Sequence, residues 1–369
     1  MFPAWTWVVG FWFGAAIGSF LNVVIYRMPR GISISKPKNS YCPSCDKQLT
    51  VSELVPLLSW AFQKGRCKCG KNKIGSRYFI VELITGTLFA AIWYQQFCLY
   101  SNSSFEPLYA IRAIGYMLFA AALVAAIFTD LAHYIIPDQI NAFMFFVGVG
   151  MNIAFAVFGL KEAWLWGMPS SIAGALVGIG ALWGIAFLGR LLFGKDAMGH
   201  GDIKMARGIG AVLLPLGAGL SFGMAVALGA VIGGLQVALL RSKPAKATDH
   251  APKHEVQGGS AEDAQGDIKK AIEPDIDEHY EPESISSLLK CGLGYLLCMD
   301  IFGLVRPKVY EWWFGENPYS IEEFEEEPEV EHTMIPFGPF LAAGALAVML
   351  FAPQLQLLVD SYIKYLGVE

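Results

Sequence analysis

Long apolar runs divided by short polar breaks dominate the chain. A helix that crosses a bilayer needs about 20 predominantly apolar residues. Candidate spans cover 5–26, 78–97, 109–129, 139–159, 168–191, 205–219, 221–240 and 335–359, with the sixth and seventh divided only at Leu216-Gly217. The pattern predicts an all-α, polytopic membrane bundle of about eight spans, with both termini on one side. The first run has no basic segment before it. It ends in Arg27 and Arg30 rather than in a small-residue cleavage site, so it reads as a retained helix and not as a cleaved signal peptide.

The polar intervals set the domain plan. Residues 1–26 form the first span, 27–77 a loop domain containing cysteines, 78–240 the membrane core, 241–334 a long insert, and 335–369 the last span and the C-terminus. The first half of the insert is rich in Gly, Ala, Asp and Lys, and reads as a disordered linker. Its middle, 284–305, is apolar, but Lys290 and Asp300 disfavour a ninth span, so a helix lying on the surface is expected. Its end, IEEFEEEPEVEHTM, reads as a solvated acidic run. The insert is expected to carry no chemistry.

Composition agrees with a bilayer protein. Mean hydropathy is +0.45 and only 16% of residues are charged, against about 25% in soluble domains. The net charge of −5 hides a segregation, because eleven Lys and Arg crowd 27–77 while the acidic residues crowd 262–331. The loops 190–207 and 241–246 are basic too, whereas 98–108 and 160–167 contain Lys161 as their single Lys or Arg. By the positive-inside rule the 27–77 side is cytoplasmic and the termini face outside. Trp5, Trp7, Trp93, Trp164 and Trp166 then fall at the outer interface, as an aromatic belt would. No basic and aromatic block suggests a nucleic-acid partner.

Four of the seven cysteines lie in the loop domain, as YCPSCDKQL and GRCKCGKNKIG. Two thiolate pairs on short turns can surround one tetrahedral Zn²⁺. Cys42, Cys45, Cys67 and Cys69 are therefore expected to hold a structural zinc, a closed site that leaves no position for a reacting water. Cys98, Cys291 and Cys298 sit in or beside apolar runs and read as small buried hydrophobes.

The candidate chemistry lies in two segments at span ends. In IFTDLAHYIIPDQIN, Asp130 directly follows an apolar run and Pro137-Asp138 opens the next span. Asp138 suits a helix N-terminus, where a carboxylate satisfies free N–H groups. In GKDAMGHGDIKMARGIG, Asp202 follows Gly199-His200-Gly201, whose glycines permit unusual torsions and leave room for an approaching chain. Lys204 could supply charge balance or meet lipid headgroups. Asp130 and Asp202 share one membrane edge. Two carboxyls in contact share a proton, so one removes a proton from water while the other donates to a scissile carbonyl. Ionisable groups at membrane depth are functional candidates by default.

These segments resemble the type IV prepilin peptidases, membrane aspartic proteases with a Gly-x-Gly-Asp motif. GSFLNVVIYRMPR (18–30) is similar to that family's first-span signature, and CPSC, LVPLLSW, GRCKCG and SRYFIVE to its loop domain. FTDLAHYIIPD and GHGDIK resemble its two catalytic segments, and IPFGPFLAAG (335–344) its final span. By position Asp130 and Asp202 match the catalytic pair. The resemblance implies a bacterial inner-membrane enzyme that cuts the basic leader of prepilins and pseudopilins after a Gly on the cytoplasmic face. It implies N-methylation of the new N-terminus with S-adenosylmethionine, and pilus or type II secretion proteins as partners besides membrane lipid. No Gly-rich strand–turn–helix of a usual methyltransferase fold is visible in the sequence. Glu82, in SRYFIVE, is either a contact for the cofactor or amine or an ion partner for Arg77, the second being the simpler reading. Two departures stand out: Cys67-Lys68-Cys69 is one residue shorter than the usual pair, and the insert is long. A proton-relaying transporter and a non-catalytic secretion assembly factor are the competing readings, the former without the internal repeat that transporters commonly show.

Overall fold

The computed structural model describes residues 2–36, 48–67, 73–99, 106–194, 198–241, 284–315 and 336–365. Helices dominate. Trp7–Arg27 is α1, the short Leu58–Phe62 is α2, and Ser76–Trp93 is α3, which runs on as a π-helical turn over Tyr94–Leu99. Pro107–His133 is α4 and Asp138–Val157 is α5. A two-residue hairpin, β1 (Trp164–Leu165) and β2 (Met168–Pro169), leads into α6 (Ser170–Phe193) and α7 (His200–Arg241). Then come α8 (Ile285–Leu296), α9 (Met299–Val305), α10 (Pro307–Phe314) and α11 (Gly338–Tyr365).

Six of these, α1, α3, α4, α5, α6 and α7, are long and apolar enough to cross a membrane among the described residues. The apolar part of α11 over Gly338–Phe351 is shorter. The expected spans thus recur within a few residues, except that 205–219 and 221–240 lie in one 42-residue element. A straight helix of that length would measure about 63 Å, twice the ~30 Å hydrocarbon core, so it must bend or cross twice. It bends at Leu214, whose backbone is non-helical (φ 64°, ψ 174°) immediately before Pro215. The ring of Pro215 denies the preceding residue its helical torsions. The break therefore precedes the Leu216-Gly217 position expected from the sequence.

α4 lies at the centre. Ala120, Leu123, Val124, Ala125 and Ala126 are all buried, so it is apolar around its whole circumference. α1 packs along α3, and α7 lies against α5, α6 and α11. Between membrane helices, packing rather than water exclusion drives association, so small residues gather where backbones meet. Gly14 illustrates this: a methyl group there would stand 2.6 Å from Phe89 Cβ and 2.7 Å from the Thr85 carbonyl oxygen. At the far end from residues 28–75, Trp5, Trp7, Trp164 and Trp166 are exposed, as an interfacial belt requires, while Trp93 turns inward and donates to Thr6 Oγ1 at 3.1 Å.

The apolar middle of the insert is not one surface helix. α8 and α9 meet at a 74° bend, where Cys298 takes a left-handed backbone (φ 56°). Leu288, Cys291, Tyr295 and Asp300 are buried beneath it, and Trp183 of α6 donates to the Leu288 carbonyl at 3.3 Å. α8, α9 and α10 form a cap docked on the bundle. The expected linker at 243–283 and acidic run at 321–334 lie outside the described residues.

Candidate active site

Asp130 sits in the last turn of α4. That helix closes with Tyr134 in a left-handed backbone (φ 56°), its N–H donating to the Asp130 carbonyl at 2.8 Å. The side chain of Asp130 is buried. Asp202 occupies the first turn of α7 and is partly exposed. The two helices bring the carboxyls within electrostatic reach of each other at one end of the bundle. Ile136, on the link from α4 to α5, touches both sides of the site. A methyl group on Gly201 would lie 3.4 Å from Ile136 Cβ, and one on Gly338 would lie 2.8 Å from Ile136 Cδ1.

The glycines of Gly199-His200-Gly201-Asp202 do not supply unusual torsions, which corrects the expectation. Gly201 is already in the helix and neither glycine has a positive φ. They supply space. A methyl group on Gly199 would sit 3.5 Å from Asp202 Oδ2. Asn141 Nδ2 donates to the Gly201 carbonyl at 3.4 Å and ties the motif to α5.

Gly338 fits tightly against the site. Its backbone N–H donates to the Asp130 carboxyl, and a side chain there would collide with Asp130 Oδ2. It opens α11, so the partial positive charge of a helix N-terminus faces the carboxyl. The signal was present in IPFGPF, as a Gly beside a Pro at a helix start, but its target lies about 200 residues away and only folding reveals it.

The other acids at this end are engaged. Asp138 begins α5 but makes no cap, contrary to expectation: the cap position is Pro137 and no side-chain cap bond forms. Its carboxylate instead accepts from Lys204 Nζ at 2.8 and 2.9 Å and from the Tyr310 hydroxyl at 2.6 Å. Lys204 thus provides charge balance rather than a headgroup contact. Asp300 receives both terminal nitrogens of Arg207, at 2.7 and 2.5 Å, with both side chains almost fully buried. Asp130 and Asp202 form no ion pair among the described residues. A carboxyl without a cation is able to hold or release a proton, whereas one clamped to Lys or Arg stays ionised.

Glu82 does not pair with Arg77. It accepts from the Leu57 N–H at 2.7 Å and from the Ser19 hydroxyl, holding Leu57 in a strained backbone (φ 60°). Arg77 donates to the Phe128 carbonyl at 3.4 Å. Glu82 therefore fastens the loop domain to α1 and α3. Within that domain Cys67 is buried, and Arg66 and Lys73 pair as an isolated antiparallel bridge. Cys42, Cys45 and Cys69 lie outside the described residues, among which no cluster of three metal-ligating side chains occurs. Cys98 and Cys291 are buried and Cys298 half-buried, as expected of small hydrophobes.

Residues 12–96 match the bacterial peptidase A24 N-terminal domain, and residues 117–235 match the type IV leader peptidase family. The second match contains both Asp130 and Asp202. A prepilin leader peptidase/N-methyltransferase of Klebsiella pneumoniae is 32% identical over 206 residues, covering 54% of this chain and 82% of that protein. One of Myxococcus xanthus is 31% identical over 348 residues, covering 93% and 89%. One of Dickeya chrysanthemi is 31% identical over 222 residues, covering 54% and 72%. No solved structure matches the chain. With two domain matches in the right order and relatives covered over most of their length, the chain belongs to the type IV leader peptidase family.

Proposed function

We infer that this multi-pass membrane protein is a prepilin leader peptidase and N-methyltransferase whose cleaving pair is Asp130 and Asp202. The observation that carries the reading is their meeting. Two carboxyls from helices about 70 residues apart in sequence converge at one membrane edge, while Asp138 and Asp300 beside them are bound to cations. A water between the two carboxyls attacks the scissile carbonyl carbon. The ionised carboxyl takes the water's proton as the C–O bond forms, and the protonated one donates to the carbonyl oxygen. The tetrahedral intermediate then breaks its C–N bond: one of its hydroxyls returns a proton to the pair as the C=O re-forms, and the leaving amine takes up the proton the pair held. The Gly338 N–H, bonded to Asp130, fixes the orientation of one partner.

The substrate in this reading is the basic leader of a prepilin or pseudopilin, cut after a Gly at the cytoplasmic face of the bacterial inner membrane. The concentration of Lys and Arg in 27–77, on the same side as the pair, supports that orientation. The 27–77 segment is the cytoplasmic domain, 78–240 the catalytic membrane core and 241–334 the insert. S-adenosylmethionine supplies the methyl group for the new N-terminal amine. Glu82 is not a candidate to hold it, since its carboxylate is engaged by Leu57 and Ser19. Pilus or type II secretion proteins are the assembly partners.

Replacing either aspartate with Asn removes a proton acceptor and donor without changing shape. Asp130→Asn and Asp202→Asn are each expected to lower prepilin cleavage by about 10²–10⁴-fold, with wild-type accumulation in the membrane. Mass spectrometry of the pilin from the same cells reads cleavage and the added methyl together. Normal processing by both variants would refute the pair.

Structural zinc on Cys42, Cys45, Cys67 and Cys69 is the second part of the proposal. The burial of Cys67 beside the Arg66–Lys73 bridge supports it. Purified protein is expected to contain about one zinc per chain and Cys67→Ser none, as a four-ligand site requires. Equal metal content in the two would remove the site.

A further inference from the structure

We propose that the cap α8–α10 of the insert is a clamp on the catalytic helix, with Tyr310 and Asp300 as positioning residues for Asp202. The inference rests on the reading of Asp130 and Asp202 as the cleaving pair.

His200, Lys204 and Arg207 stand four and three residues apart, so they line one face of the first two turns of α7. Each is bonded to the cap. The Tyr295 hydroxyl hydrogen-bonds His200 Nδ1 at 2.8 Å. Lys204 Nζ donates to the Tyr310 hydroxyl at 2.9 Å and lies 5.4 Å over the Tyr295 and Tyr310 rings and 5.8 Å over the Phe314 ring. Arg207 donates to both Asp300 oxygens and to the Tyr295 carbonyl, the last at 3.2 Å. Asp202 is two residues past His200, about 200° around the helix from it. One side of the turn is gripped by the cap while the other presents the carboxyl to Asp130.

Tyr310 also joins two elements of the core. Its hydroxyl donates to Asp138 at the start of α5 and accepts from Lys204 on α7. It thereby fixes the N-terminus of α7 against the helix that follows Ile136. Tyr295 and Phe314 stack behind it at 5.3 Å with planes 11° apart, and Tyr310 meets Phe314 at 4.7 Å. A carboxyl that must stay within a fraction of an ångström of its partner needs rigid surroundings. The family matches end at residue 235, before these residues begin, so the clamp comes from a part of the chain outside the matched domains.

The test uses the full-length protein in detergent or liposomes with a prepilin leader peptide. Tyr310→Phe removes one hydroxyl and keeps the ring. It is expected to lower kcat roughly ten-fold per folded molecule at unchanged KM, the signature of a catalytic group held less firmly. Asp300→Asn is expected to do the same in the folded fraction, and Trp312→Ala, exposed on α10, to cleave as wild type. The Asp300 change also leaves a buried guanidinium uncompensated, so Tyr310→Phe decides. Wild-type kcat in Tyr310→Phe overturns the clamp. So does a loss that only follows the folded fraction measured by thermal melting, and so does a raised KM at constant kcat, which makes the cap a substrate contact. Asp202→Asn, run alongside, separates the two readings. If it still cleaves, the catalytic pair is wrong; if it is inactive while Tyr310→Phe is normal, only the clamp is wrong.

Discussion

Gly338 shows how much a single position decides. Its amide reaches Asp130 because nothing projects from its α-carbon; any larger residue meets the carboxyl and Ile136 together. Gly338→Ala is expected to cut cleavage about 100-fold by displacing the carboxyl, since misplacement of about 1 Å has that cost. The protein should still accumulate, because α11 keeps its other contacts. A kcat within two-fold of wild type, measured on equal amounts of membrane protein, would show that the site tolerates the shift, as roughly 0.4 kcal/mol is all a two-fold change represents. Asp130 and Asp202 were legible as residues because each closes or opens an apolar run. Their distinction from Asp138 was not fully legible, since Lys204 and Tyr310 claim Asp138 only in the folded chain.

At the level of elements, the buried Arg207–Asp300 pair joins α7 to the cap. Removing one partner of such a pair strands a charge away from water, at a cost of about 3–5 kcal/mol, whereas replacing both with apolar groups is often neutral. Asp300→Asn is thus expected to lower the midpoint of thermal inactivation clearly, and Arg207→Met with Asp300→Leu to recover most of it. Equal loss in single and double variants would mean that the side chains contribute packing alone. The apolar run at 284–305 was visible in the sequence, and its charges rightly spoke against a simple span. Its docking was not visible, because Asp300 looks like a solvated acid until Arg207, nearly a hundred residues earlier, is placed opposite it. The insert was expected to carry no chemistry; its cap hydrogen-bonds His200, Lys204 and Arg207 at the start of α7.

For the whole molecule, the charge segregation predicts an orientation that can be read directly. Lys161 lies in a turn at the end opposite the pair, next to the exposed Trp164 and Trp166. Lys161→Cys is expected to react with a membrane-impermeant maleimide in intact spheroplasts, while the wild-type protein, whose cysteines are cytoplasmic or buried in this topology, does not. Labelling only after lysis would invert the topology and put the catalytic edge outside. What sets aside the relay of protons by a transporter is the family to which the chain belongs.

The sequence by itself determined the membrane class, most span positions, the basic side and the two candidate aspartates. These are properties of single residues and of short-range hydrophobic period, which a bilayer reads locally. Only the tertiary structure decided what each polar group does. It brought Gly338 to Asp130, Leu57 to Glu82, Tyr310 to Asp138 and Asp300 to Arg207. Each partner comes from a distant part of the chain. A buried polar group must find a partner somewhere, but the sequence around it does not say which.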